Sequence, residues 1–157
     1  MISLRIMRQD EFPAYRSYFV EDYSREIAEN YGHSVELAIN LAEAELQSSF
    51  PDGPDSKGHE LLCLEARVNG ATKVVGYLWH SVQADLSSTF IYDFYVFDKY
   101  RGQGFGKQAI HALENQLKAA EIHEIKLRVA YYNKRALKLY EQAGFLITGF
   151  NMSKKLG

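Results

Sequence analysis

The chain has 157 residues, of which 46% are hydrophobic, including eleven Tyr and nine Phe against only three Pro. That suits one packed domain spanning 1–157 with an aromatic core, and excludes a disordered chain or two domains of comfortable size. A net charge of −2 supplies no basic field for nucleic acid, and the single cysteine, Cys63, excludes both an intrachain disulfide and a cysteine-rich metal site.

In chain order, residues 2–7 (ISLRIM) alternate apolar and polar and predict a first strand. Asp10 suits a helix N-cap, and Phe12, Tyr15, Phe19, Tyr23 and Ile27 then recur at three- or four-residue steps. Gly32 ends that helix, and Ser34 caps a second one with Val35, Ala38, Leu41 and Leu46 on one face. Residues 51–60 hold two Pro and two Gly and read as a loop. Strands follow at 61–68 and 73–82, separated by the turn signal Asn69-Gly70, and at 88–97, the most aromatic of them. A helix runs from the glycine-rich stretch to about Ala120, a strand covers 124–130, and a short helix from Lys134 to Ala143 stops at Gly144. Residues 145–152 (FLITGFNM) close the chain as a strand. The fold class is therefore α/β (α+β): a mixed sheet flanked by helices, in the order β-α-α-β-β-β-α-β-α-β.

Cys63 lies in an apolar run and is read as a buried, inert thiol. The five histidines show no metal-ligand spacing, so no metal is expected. The histidines are read as surface or helix-end residues, although His80, beside Trp79 on a central strand, can line an acceptor pocket. No stretch has the length of a signal-peptide core or of a membrane span, so a cytoplasmic protein with no membrane or nucleic-acid partner is expected.

The stretch YRGQGFGKQAI, residues 100–110, places three glycines at alternate positions between two cations. A dinucleotide fingerprint starting at Gly102 would need glycine at Lys107, and a P-loop ending in Gly106-Lys107 would need Ser or Thr at Gln108. Both fail. What remains is Arg-x-x-Gly-x-Gly between a strand and a helix. Gly104 and Gly106 permit positive φ and close approach, the first helical N–H groups lack partners, and Arg101 and Lys107 add charge. These are the parts of a phosphate or pyrophosphate seat.

Taken with its surroundings, the sequence DFYVFDKYRGQGFGKQAIHALENQL followed by IKLRVAYYNKRALKLYEQAGF resembles the GCN5-related N-acetyltransferase (GNAT) superfamily. Arg101, Gly104 and Gly106, then Asn133, Ala136, Tyr140, Gly144 and Phe145, stand at that family's spacing. The resemblance implies acetyl transfer from acetyl-CoA to a primary amine of a small molecule or peptide. It implies a bulged strand whose Phe94, Tyr95 and Val96 run along the pantetheine arm. Backbone N–H groups of Gly102, Gln103, Gly104, Phe105, Gly106 and Lys107 would hold the pyrophosphate, and Asn133 would bond to the cofactor arm. Relatives are often homodimers, so a dimer is admitted.

Direct attack of a neutral amine on a thioester needs a base, a donor for the oxyanion and a proton for the thiolate. The Val96 N–H can supply the second. Tyr140 is the candidate acid, although its helix face also suits a core tyrosine. Many relatives carry a glutamate on the central strand; here Tyr92-Asp93 stands instead. Asp93 either works through a water or hydrogen-bonds the bulged backbone. The acidic stretch Glu21, Asp22, Glu26 and Glu29 either borders an acceptor site for a cationic amine or is a solvated helix face. A non-catalytic acyl-CoA-sensing domain is the alternative function.

Overall fold

Ser34 accepts a hydrogen bond from the Leu37 N–H at 3.2 Å, and Gly32 takes a left-handed φ of 66°. These two residues separate the first two helices. In the computed structural model, which describes residues 1–157, the elements are β1 (Ser3–Ile6), α1 (Phe12–Tyr31), α2 (Val35–Ser49), β2 (Glu60–Val68) and β3 (Ala71–Gln83), then β4 (Ser88–Val96), α3 (Phe105–Ala119), β5 (Glu124–Leu127) and α4 (Lys134–Gln142). No helix is long and apolar enough to cross a membrane.

The strands form one sheet in the order β1-β2-β3-β4-β5. The first three pairings are antiparallel and β4–β5 is parallel. Asn69 and Gly70 make a two-residue hairpin with φ of 51° and 81°. Two positive values suit a type I′ turn, whose twist matches the strands it joins.

Each face of the sheet buries its own core. On one side Leu62, Leu64 and Leu78 meet Ala109, Ile110, Leu113 and Leu117 of α3, with Tyr140 of α4 at the margin. On the other, Leu61, Cys63, Tyr77 and Trp79 meet Tyr15 and Phe19 of α1 and Leu46 of α2. Neighbouring residues of β2 and β3 thus serve opposite cores, as a two-residue period requires. Cys63 is fully buried, and that burial pushes its thiol up to about 11. It is inert packing, as expected.

Five expectations are corrected. Asp10 does not cap α1: it lies in a 3-10 turn, Gln9–Glu11, where Glu11 takes the Arg8 N–H at 2.9 Å and α1 starts at Phe12. The α2 face is Ala38, Ala42 and Leu46, with Val35 and Leu41 exposed, because small residues let α2 sit close to α1. His80 is neither at the surface nor at a helix end. It is buried between strands, with Nδ1 2.7 Å from Thr89 Oγ1 and Nε2 2.7 Å from Glu60 Oε2. Finally, β5 stops at Leu127 and residues 145–157 form no regular secondary structure, so the expected last strand is missing.

Candidate active site

The site begins with a defect in β4. Trp79 stands opposite Asp93, yet His80 stands opposite Ile91, so Tyr92 is an extra residue in the strand. A bulge breaks the alternation of faces. Tyr92 therefore stacks on Trp79 at 4.9 Å on the α1 side, and Asp93, its immediate neighbour, also points to α1. In a regular strand the carboxylate would enter the apolar core under α3.

Asp93 meets two tyrosines there. Tyr15 donates its hydroxyl to Oδ2 at 2.9 Å and Tyr18 donates to Oδ1 at 3.1 Å. Tyr15 is fully buried, and Tyr18, partly open, stacks on Tyr95 at 4.3 Å. Burial pushes the Asp93 carboxyl up to about 7, against the opposing pull of Tyr15, Tyr18 and the Phe94 N–H. Asp22 of α1 pushes it up further. Desolvation outweighs the hydrogen bonds, so this acid is poised near neutrality. Asp93 still keeps partial solvent access, which gives protons a way in and out. The Phe94 N–H of its own strand bonds to the carboxylate.

Tyr15 and Tyr18 are the residues sequence reasoning missed. The periodicity puts Tyr15 on the core face of α1 and gives no signal at Tyr18. Their three-residue separation on α1 puts both hydroxyls on one side of the helix, but nothing local says that a carboxylate lies opposite.

Tyr140 approaches from the other flank. Its ring lies 6.4 Å from Phe94 and 5.5 Å from Phe145, and it is 9% exposed. Burial first, and the nearby Asp93 charge second, push its hydroxyl up to about 12. It stays protonated at any physiological pH, as a proton donor must.

Between these flanks the sheet opens. β5 pairs with β4 only over Ser88–Ile91, whereas Asp93–Val96 keep β3 on one side and have no strand on the other. The Phe97 N–H reaches back to the Val75 carbonyl at 2.9 Å. By strand alternation the Val96 N–H points the opposite way, into the opening. Gly76 holds β3 against this segment: a Cβ there would collide with the Tyr95 carbonyl.

The glycine turn lies at the end of the opening. None of the N–H groups of residues 102–107 donates to a carbonyl of the chain. Gly102 and Gly104 take φ of 78° and 82°, and Gly104 is the N-cap of α3. These unpaired donors at a helix N-terminus can hold an anion of pyrophosphate size. A cradle lined by bare backbone fits that group; side chains here would fill it.

Gly106 departs from expectation. Its φ is not positive, and a Cβ there would stand 3.2 Å from Leu139 Cδ2. A side chain at this point would press on Leu139, because α4 packs close to α3. Arg101 departs too: its Nε donates to the Val96 carbonyl at 2.9 Å, Nη1 pairs with Asp98 at 2.7 Å, and the guanidinium lies over the Tyr95 ring. It braces the turn. Lys107 and Gln103 are exposed at the turn, while Phe105 is buried beneath it. Asn133 caps α4, its Oδ1 taking the Ala136 N–H at 3.1 Å, which leaves its NH2 group to a ligand.

A cleft of about 180 Å³ lies between Asp22, Arg25, Glu26 and Glu29 of α1 and Ala130, Tyr132 and Asn133. Burial raises both Asp22 and Glu26, although Arg128 pairs with Glu26 at 3.4 Å. Three of the four acidic residues noted in the sequence thus border the cleft near Asn133.

The chain matches the model of the acetyltransferase (GNAT) family over residues 16–145. It is 34% identical over 157 residues to the uncharacterized N-acetyltransferase YycN of Bacillus subtilis (strain 168), covering 99% of each chain. The crystal structure of YycN superposes with a TM-score of 0.89 over the same 99% of each chain. At 16% identity, the PaiA N-acetyltransferase of Thermoplasma acidophilum in complex with coenzyme A matches with a TM-score of 0.70, over 96% of this chain and 93% of that one. Also at 16% identity, AAC(6')-Iy with a CoA-S-monomethyl-acetylneamine bisubstrate analogue matches at 0.60, over 100% and 99%. Those two distant likenesses bear on the fold. Together with the opened sheet and the glycine turn, the family match and the YycN likeness make the chain a member of the GNAT acetyltransferase family.

Proposed function

We propose that the protein transfers an acetyl group from acetyl-CoA to a primary amine by direct attack, with Asp93 as proton acceptor and Tyr140 as proton donor. The observation that carries this reading is the pairing of a poised carboxylate and a protonated tyrosine on opposite flanks of one opening in the sheet. Coenzyme A complexes of neighbours with the same fold support the donor. Acetyl-CoA supplies the activated carbonyl and a thiolate leaving group. Residues 102–107 hold its pyrophosphate, Phe94–Val96 border its arm, and the Asn133 NH2 donates to that arm. The Val96 N–H faces the carbonyl oxygen. Asp93 takes the proton that the ammonium form of the acceptor must lose before attack; as the C–S bond breaks Tyr140 gives its proton to sulfur, and the second proton of the attacking nitrogen, lost as the amide forms, restores the Tyr140 hydroxyl. Asp22, Glu26 and Glu29 favour an acceptor with further positive charge. The alternative of a non-catalytic sensing domain finds no support.

The direct test is a thermal shift with acetyl-CoA, followed by thiol release over a panel of amines and peptides. Tyr140→Phe should leave folding and acetyl-CoA affinity intact and lower kcat at least tenfold. An unchanged kcat would remove Tyr140 from the reaction. Tyr18→Phe takes a donor from the charged form of Asp93, so its pKa rises. The acidic limb of kcat/KM should move to higher pH by up to about one unit. A fall in rate with the limb in place would mean that Tyr18 only packs.

A further inference from the structure

We infer that the groove between α1 and α2 is a binding site for a small organic cation, a quaternary ammonium of choline size. A cavity of about 310 Å³ lies there, lined by Tyr23, Ile27 and Tyr31 of α1, Leu41 and Glu45 of α2, and His33 of the turn between them. That volume is at the lower end of small-ligand sites. Tyr23, Ile27 and Tyr31 stand four residues apart and form one stripe of α1. Asp22, Glu26 and Glu29 lie on another flank of the helix, so this cavity is separate from the cleft beside Asn133.

Floor and rim differ. Ile27 is buried and Tyr23 half-buried, because Ala38 and Ala42 let α2 approach α1 closely. Tyr31 and Leu41, by contrast, are 60% and 41% exposed. Leu41 packs into none of the cores and faces the cavity instead.

Two chemical features choose the occupant. The first is aromatic: the Tyr31 and His33 rings lie 27° from parallel with centroids 6.1 Å apart, and Tyr23 adds a third ring. Ring faces attract a cation. The second is Glu45, the one carboxylate of the lining. Glu21, Glu26 and Glu43 are paired with Arg25, Arg128 and Arg16, whereas Glu45 forms no ion pair. Its charge is felt inside the cavity: burial first and Glu45 second push the Tyr23 hydroxyl up. An anion is therefore repelled, and a neutral ligand leaves the carboxylate unanswered. One carboxylate and one imidazole do not make a metal site. A primary ammonium brings three N–H donors, for which Ile27 and Leu41 offer no acceptor. Methyl groups on nitrogen suit those aliphatic walls while the charge meets the rings and Glu45. The chain supplies one rival: the Lys155 ammonium lies beside Gly32, between the lining residues Tyr31 and His33.

Choline is the probe. Nitrogen–proton NMR spectra of the full chain, without acetyl-CoA, should show saturable shifts centred on the α1–α2 groove as choline is added. 3,3-Dimethylbutan-1-ol has the same shape without the charge and should bind about tenfold more weakly. Glu45→Gln and Tyr31→Leu should each weaken choline about tenfold. Glu43→Gln removes the same charge from α2 outside the cavity and should leave choline affinity unchanged. All three positions are exposed, so each variant keeps the fold. Phosphatidylcholine vesicles should not retain the chain, because the site takes a free solute. Absence of saturable shifts, equal binding of the neutral alcohol, or shifts centred on residues 130–133 would overturn the site. So would retention on vesicles, or choline binding seen only once Lys155→Ala has removed the rival. None of these readouts involves acetyl transfer, so this inference and the transferase reading fail independently.

Discussion

Asp93→Asn lowers kcat/KM for an amine acceptor on the order of a hundredfold or more, and the acidic limb near pH 7 disappears from its profile. The amide keeps the shape of the carboxylate and can still accept from one tyrosine, but it takes no proton at any pH. Stability moves the other way. The folded-state pKa of Asp93 lies at about 7, above the ordinary 3.8. The native state therefore favours the protonated acid, and stability present below about pH 4 is lost as pH rises towards 7. Asparagine has no such term. Urea unfolding should show Asp93→Asn gaining on the wild type between pH 4 and 8, by on the order of 2 kcal/mol once partial solvent access is discounted. Slower catalysis joined to better stability at alkaline pH is the mark of a strained functional carboxylate. A variant that keeps the wild-type limb would assign the proton acceptor elsewhere.

Gly104→Glu weakens acetyl-CoA binding about a hundredfold. Two effects add. The φ of 82° is strained for any L side chain, by about 1–2 kcal/mol. The new carboxylate would also lie at the N-terminus of α3, claim the free N–H groups and repel phosphate, at a cost of similar size. Gly104→Ala carries the strain alone and should lose about tenfold. Gly106→Ala is a different control. Its Cβ would press on Leu139 at 3.2 Å, so it should lower Tm more than affinity. Calorimetric titration with acetyl-CoA separates the three; wild-type affinity in Gly104→Glu would show that the turn is not the pyrophosphate seat.

The fold was largely legible because most of its signals are local. Gly32, Ser34 and the Asn69-Gly70 pair act through their own φ preferences and nearest N–H groups, and each stands where the sequence put it. Where a signal depended on a neighbour it was read less well. Ala42 outranks Leu41 in α2 because α1 passes close by. Gly106 looked like part of an anion loop, yet α4, more than thirty residues away in sequence, decides its purpose. Arg101 reads as a phosphate ligand from its place in the motif, and its contacts to Val96 and Asp98 at the end of β4 appear only in the fold. Residues 145–152 have the composition of a strand, but a strand exists only with a partner.

By itself the sequence determined the order of elements as far as the last helix, the glycine turn before α3 and the tyrosine on the last helix. These follow from chain-local rules: periodicity, capping and the freedom of glycine. The surroundings of Asp93 were decided only in three dimensions. Asp93 reaches Tyr15 and Tyr18, 78 and 75 positions away, because one extra residue in β4 turns it to the α1 side, and its raised proton affinity comes from burial there, against the pull of those two hydroxyls. Desolvation is a property of what surrounds a group, and no stretch of sequence around Asp93 contains what surrounds it.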